Sequence, residues 1–312
     1  MPEGSPMIRL EAFEKRYGKV EAVKPLDLEI GRGESFAFLG PNGGGKTTVL
    51  RALVGLHAPT SGRILIDGED IAKAPDKVRK LLSYVPQRVT MPGQLTAREI
   101  LNLFTNLRGV TPKRVDEVLD LFELTDDSDR LTVEYSGGML QRLGLAVALL
   151  EEVPLLVLDE PSLNLDPLGI ARLHELLAQL REKGSTIVFS SHIVHSAVQL
   201  ADRVAVLVEG KLARLENVPT FMTTVARQTR VRVILGGPAE SVVDAAQKAG
   251  ASKCRCDGSE LSFAALPRQR LEVIQAIQSV GGIVEEFHTE PPDWDALVRD
   301  HANGRDLGVN NG

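Results

Sequence analysis

The chain has 312 residues, 43% hydrophobic and 25% charged, with a formal net charge of −6, the composition of a globular protein of about two domains. That acidic balance gives bulk nucleic-acid binding no support. No apolar run of about 18 residues is long enough to span a bilayer, and the first residues carry no basic segment followed by an apolar core, so no secretory signal is expected. Two cysteines, Cys254 and Cys256, cannot build a disulfide framework, which points to a reducing, cytoplasmic setting.

The first β-like run is Glu34–Leu39, followed by glycine-rich residues and a helical run, Thr47–Val54. Arg63–Asp67 and Leu82–Val85 read as strands, and Ala97–Leu107, Lys113–Phe122 and Met139–Leu150 as helices. Leu155–Leu158 is short and wholly apolar between Pro154 and Asp159, as expected of a strand buried on both faces. Pro167–Lys183 reads as a helix, Thr186–Ser190 as a strand, His195–Ala201 as a helix and Val204–Val208 as a strand. This alternation predicts an α/β fold with a mostly parallel sheet. The helical stretch at about 88–154 is then an insertion between two of its strands.

A second unit follows: strand Arg230–Leu235, helix Ala239–Lys248, strands Ser252–Cys256 and Glu260–Ala264, helix Pro267–Ser279 and strand Gly282–Phe287. The order β-α-β-β-α-β is the ferredoxin-like one, and Asp257-Gly258 stands where a hairpin turn belongs. The expected domains are 1–217 and 228–290, with 291–312 a partly flexible tail that holds Trp294.

Three segments carry chemistry. Gly40-Pro41-Asn42-Gly43-Gly44-Gly45-Lys46-Thr47-Thr48 matches G-x-x-x-x-G-K-[ST] between a strand and a helix. Its glycines let backbone N–H groups converge on phosphate oxygens, and the helix N-terminus adds partial positive charge. Asn42, Gly43, Gly44, Gly45, Lys46, Thr47 and Thr48 are thus the expected cradle for ATP, with Lys46 on the β- and γ-phosphates and Thr47 on Mg2+. In Leu155-Leu156-Val157-Leu158-Asp159-Glu160 an apolar strand ends in an acidic pair that is either an ordinary strand end or helix N-cap or, coupled to the phosphate loop, the pair in which Asp159 would hold the Mg2+ shell and Glu160 would orient or deprotonate the attacking water. In Tyr135-Ser136-Gly137-Gly138-Met139 the serine is either a plain N-cap or part of a second phosphate-binding helix start.

These segments, in this order, resemble the ATP-binding-cassette (ABC) transporter ATPases over roughly Met7 to Glu216. The resemblance implies a P-loop ABC ATPase core with a helical insertion and a small α+β C-terminal domain. It makes Ser136 and Gly138 part of the family signature, with Met139 where glutamine is usual. Gln87 resembles the glutamine that touches Mg2+ and relays to the transporter, and His192 the switch histidine at the γ-phosphate. Asp166 resembles the D-loop aspartate at a dimer interface while also suiting an N-cap before Pro167. Tyr17 resembles the adenine-stacking aromatic. The implied catalytic set is Glu160, His192 and Lys46; the implied Mg2+ set is Thr47, Gln87 and Asp159.

The resemblance further implies that the signature of a second chain completes each ATP site, so the expected partners are a second cassette, as a homodimer, and a separate integral-membrane permease. The expected location is the inner face of the cell membrane. One cassette plus a small second unit resembles the ATPase subunits of ABC-2-type exporters, and Val89 to Gly109 with Leu143–Ala146 also resembles the ATPase of nitrous oxide reductase copper-site maturation. The alternative is an ABC ATPase that serves cofactor maturation or a macromolecule without a transported cargo. Cys254 and Cys256, at i and i+2, are either soft-metal ligands or packed free thiols.

Overall fold

The chain opens with two strands absent from the expected elements, β1 (Ile8–Tyr17) and β2 (Val20–Ile30). The structure is a computed structural model and describes residues 5–290; the expected tail, with Trp294, lies outside them. The elements then run β3 (Ser35–Leu39), α1 (Lys46–Leu53), β4 (Ser61–Ile66), β5 (Glu69–Asp70), α2 (Pro75–Arg79) and β6 (Leu82–Val85). Three helices follow, α3 (Ala97–Arg108), α4 (Lys113–Leu121) and α5 (Gly137–Ala148). After them come β7 (Leu155–Leu158), α6 (Pro167–Glu182), β8 (Thr186–Ser191), α7 (Val194–Leu200), β9 (Arg203–Val208) and β10 (Lys211–Asn217).

Two sheets share this unit. One is antiparallel, in the order β2-β1-β4-β5. The other has the order β10-β9-β3-β8-β7-β6, with parallel pairing of β3 to β8 and β9, and of β7 to β6 and β8. Every residue of β3, β7 and β8 is buried, which is why these strands read as unbroken apolar runs. Phe13, Phe36 and Phe38 are fully buried between the sheets and α1, within one cluster that also takes Val49, Leu50, Val157 and Leu207. The register sets Leu39 beside Ser191 and Leu158 beside Phe189, so the strand ends that lead into Gly40, Asp159 and His192 lie side by side. Ligands of open α/β sheets bind at this edge.

The helical insertion is sharply delimited. Thr96 and Glu99 form a reciprocal capping box at the start of α3, and Gly109, at φ 69°, closes it.

The chain divides into two compact units after Leu215. The second holds α8 (Val218–Gln228), β11 (Arg230–Leu235), a 3-10 turn leading into α9 (Val243–Lys248), β12 (Ser252–Asp257), β13 (Glu260–Ala264), α10 (Pro267–Ser279) and β14 (Val284–Glu290). Its sheet is antiparallel in the order β12-β13-β11-β14, the ferredoxin-like arrangement. Asp257 and Glu260 pair around a turn in which Gly258 takes φ 60°.

Candidate functional site

The loop between β3 and α1 is held from both sides by backbone. A Cβ at Gly40, whose φ is 146°, would lie 2.0 Å from the Leu207 carbonyl oxygen; one at Gly44 would lie 2.6 Å from the same oxygen. A Cβ at Gly45 would meet the Ala22 carbonyl oxygen at 2.8 Å. β9 and β2 therefore leave room for glycine only, and the N-terminus of α1 stays open toward a ligand. Gly43, at φ 80°, borders open space.

Lys46, the first residue of α1, is buried and donates from Nζ to the carbonyl oxygens of Gly40 (2.8 Å) and Pro41 (3.1 Å). Burial lowers its pKa, and the charges of Glu160 and Asp159 oppose that shift. The ammonium lies 3.8 Å from Glu160 Oε1.

The carboxylates arrive on β7. Asp159 is fully buried; its Oδ1 accepts from Thr47 Oγ1 at 3.1 Å and from Ser190 Oγ at 2.6 Å. Its Oδ2 is buried and has no hydrogen-bond partner, an arrangement that is costly for a carboxylate unless a cation meets it. The same Ser190 oxygen accepts the Glu160 N–H at 2.9 Å, so one hydroxyl at the end of β8 holds both acidic residues in place. Glu160 has φ 51°, in the left-handed region, a strain of the kind concentrated at functional sites. Its Oε2 lies 2.9 Å from His192 Nδ1, with the carboxylate buried and the imidazole half exposed.

Lys46, Thr47, Asp159, Glu160 and His192 thus form one connected group. Gln87 is exposed two residues beyond Val85, whose carbonyl accepts the Asp159 N–H at 2.9 Å, so it stands at the same sheet edge. Tyr17, an exposed residue, ends β1 with its ring edge-on to His57 at 5.7 Å. Asn42 and Thr48 belong to the loop and to the first turn of α1.

Ser136, Gly138 and Asp166 form a different group. Ser136 caps α5 by accepting the Met139 N–H at 3.2 Å and is itself exposed. A Cβ at Gly138 would lie 2.8 Å from the Asn164 carbonyl oxygen, and Asn164 takes φ 63°. Asp166 caps α6, accepting the Gly169 N–H at 2.6 Å. Ser136, Gly138, Asn164 and Asp166 line a cleft of about 540 Å³ that also takes in Arg142 and Arg172. Gln141, buried on α5, donates to the Pro161 carbonyl at 3.3 Å and so links the signature helix to the segment that follows Glu160. No hydrogen bond or ion pair joins Ser136 to Lys46 or Glu160 among the described residues.

Two residues with structural duties at the site were not singled out from sequence, Ser190 and Asn164. Ser190 left a trace, since it is a hydroxyl at the end of an otherwise apolar buried run, Ile187-Val188-Phe189. The cysteines show nothing comparable. Burial raises both thiols, and no group of three or more His, Cys, Asp and Glu side chains able to hold a metal occurs among the described residues.

A family model described as ABC transporter matches residues 23–163. The bacitracin transport ATP-binding protein BcrA of Bacillus licheniformis is 41% identical over 220 residues, which are 69% of this chain and 70% of that protein. The daunorubicin resistance ATP-binding protein DrrA2 of Streptomyces coeruleorubidus is 32% identical over 298 residues, 92% of each chain. Among solved structures, the dimeric ATP-binding cassette MJ0796 in a post-hydrolysis state with ADP and Pi matches with a TM-score of 0.64 at 29% identity, over 68% of this chain and 99% of that one.

Proposed function

This chain belongs to the ABC transporter family as an ATP-binding and ATP-hydrolysing subunit, and from that premise we propose that two copies share each ATP and drive a separate membrane permease in export. The observation that carries the proposal is the split of the site residues into two groups. Lys46, Thr47, Asp159, Glu160 and His192 are joined by contacts of 2.6–3.8 Å, with Ser190 linking Asp159 to the Glu160 backbone. The exposed Ser136 and the half-buried Gly138 stand outside that group. A helix N-terminus that faces solvent, with its serine and glycine accessible, suits a phosphate presented by another chain.

Lys46 and the loop amides hold the phosphates. Glu160, steadied by the Ser190 hydroxyl and by His192, orients and deprotonates the attacking water. Asp159 and Thr47, with Gln87 at the same sheet edge, would hold Mg2+; the unpartnered Asp159 Oδ2 and the oxygen donors fit that hard cation. Held there, such an ion would supply positive charge to offset that of the phosphates. Tyr17 stacks on the adenine. Asp166 stands at the contact between the two copies. Loss of the γ-phosphate loosens that contact, a switch driven by a bound phosphate.

Among the described residues no helix is long and apolar enough to cross a membrane, which supports a separate permease and a place at the inner face of the membrane. The relatives named for bacitracin transport and daunorubicin resistance support export, and the 92% coverage of DrrA2 extends the likeness into the second unit.

Glu160→Gln tests this reading. The variant is expected to lose hydrolysis by roughly 10²–10⁴-fold and to accumulate as an ATP-bound dimer in gel filtration. Hydrolysis at the wild-type rate would refute the assignment of Glu160.

A further inference from the structure

Strand β14 ends the second unit's sheet, and among the described residues it pairs only with β11. An edge strand with unpaired N–H and C=O groups is a template for another strand unless it is short, twisted, covered or guarded by charges that no partner matches. β14 has seven residues, six of them exposed on both faces. Phe287 is the odd one among them. It lies on the helix-covered face, opposite the fully buried Val233, yet remains 56% exposed, and Ile283, just before the strand, is 68% exposed. Among the described residues no strand pairs with this edge, and both apolar side chains stand beside it.

The order of charges along β14 selects that partner. In an antiparallel pairing of β14 with itself, opposite residues share a face, so the two-fold axis passes beside a residue. Centred on Phe287, the pairing sets Phe287 opposite itself, Glu286 opposite His288 of the partner subunit, Glu285 opposite Thr289 and Val284 opposite Glu290. No glutamate then directly faces a glutamate. Centred on Glu285 or Glu286, a glutamate faces itself; centred on His288, Glu286 faces Glu290. Like charges directly opposite destabilise a strand pair, whereas aromatic and complementary pairs stabilise it. Glu286 and His288 already meet along the strand, with Oε1 and Nε2 3.1 Å apart, and an imidazole can donate to a carboxylate in either charge state. Arg232 of β11 draws Glu290 inward, with 3.6 Å between Nη1 and Oε1.

We propose that β14 pairs with β14 of a second copy, centred on Phe287, and joins the two second units through a continuous sheet without nucleotide. This contact is separate from the ATP-dependent one, so the two are tested apart. In sedimentation velocity without nucleotide the full chain is expected to be dimeric. His288→Glu, which sets carboxylates opposite each other twice, is expected to weaken that dimer by about tenfold or more. Glu286→Lys/His288→Glu, which restores complementary charge, is expected to recover it. Both positions are exposed, so folding is not at stake. Phe287→Cys in a Cys254→Ser/Cys256→Ser background is expected to give a disulfide-linked dimer with oxidised glutathione. A wild-type chain that is monomeric without nucleotide overturns the proposal, as does a His288→Glu dimer of unchanged affinity or a Phe287→Cys chain that does not cross-link. Dimerisation that appears only on truncation after Glu290 would also overturn it, and would give the edge to residues 291–312 of the same chain. In the His288→Glu background, where the β14 contact is weakened, Glu160→Gln is still expected to dimerise on addition of ATP; failure to do so there would count against the shared ATP site and leave the β14 contact untouched.

Discussion

Ser136 has two duties that substitution can separate. As an N-cap it accepts the Met139 N–H; in the proposed site it also meets the γ-phosphate held by the partner. Ser136→Ala removes both and is expected to cost about 1 kcal/mol of stability along with hydrolysis. Ser136→Asp keeps a good cap but brings a negative charge to the phosphate. Its urea midpoint is expected to match wild type while its ATPase activity is lost; an active Ser136→Asp chain would leave the serine as a cap alone. Ser190 presents the reverse case, a residue that touches no phosphate in the proposed scheme but holds Asp159 and the Glu160 backbone together. Ser190→Ala leaves a buried N–H without its acceptor and is expected to cost about 1–3 kcal/mol and to lower kcat more than it raises the KM for ATP. Equal stability to wild type in chemical denaturation would contradict that bridge. Lys46 stands out in sequence through the spacing of its motif, and Asp159 and Glu160 through an apolar strand read together with that motif; the fold brings the three together. Ser190 does not stand out, because its function depends on the register of β8 against β7, which only the fold supplies.

The same division holds for elements. β3, β7 and β8 were legible because a strand buried on both faces must be apolar throughout. β1 and β2 were not, although Ile8-Arg9-Leu10-Glu11 alternates cleanly. A register shift between Leu10 and Phe13, at Ala12 with φ 43°, resets the period, and Pro25 reads as a breaker inside β2. β10 buries only Ala213 and so offers no face to detect. The threonine-rich α8 has weak helix propensity, although Asn217 caps it and a proline stands in its first turn. The signature helix α5 shows how closely elements are fitted. A Cβ at Gly144 would lie 2.6 Å from Val89 Cγ2, two residues beyond Gln87. Gly144→Ala is expected to cost about 1–3 kcal/mol through overpacking, and Gly144→Ala/Val89→Ala to recover most of it. A single variant as stable as wild type in urea unfolding would show that this contact does not set the position of α5.

At the scale of the whole molecule, sequence predicted an α/β cassette core and a ferredoxin-like unit, and the sheet orders bear out that fold class. Residue order alone does not separate the site residues into two spatial groups, since it places Ser136 between Lys46 and Glu160; only the family resemblance implied that split. In the proposed scheme that division makes each chain half of a machine: each copy brings a phosphate cradle and offers a signature, and neither is complete alone. Mixing two inactive chains tests this most directly. Lys46→Ala lacks the cradle and Ser136→Asp lacks the signature, so each is expected to be inactive by itself. Co-purified as a mixture and assayed for phosphate release, they are expected to regain hydrolysis, since the heterodimer assembles one intact site from the Lys46 of one chain and the Ser136 of the other. A mixture as inactive as its components would contradict a site shared between two copies.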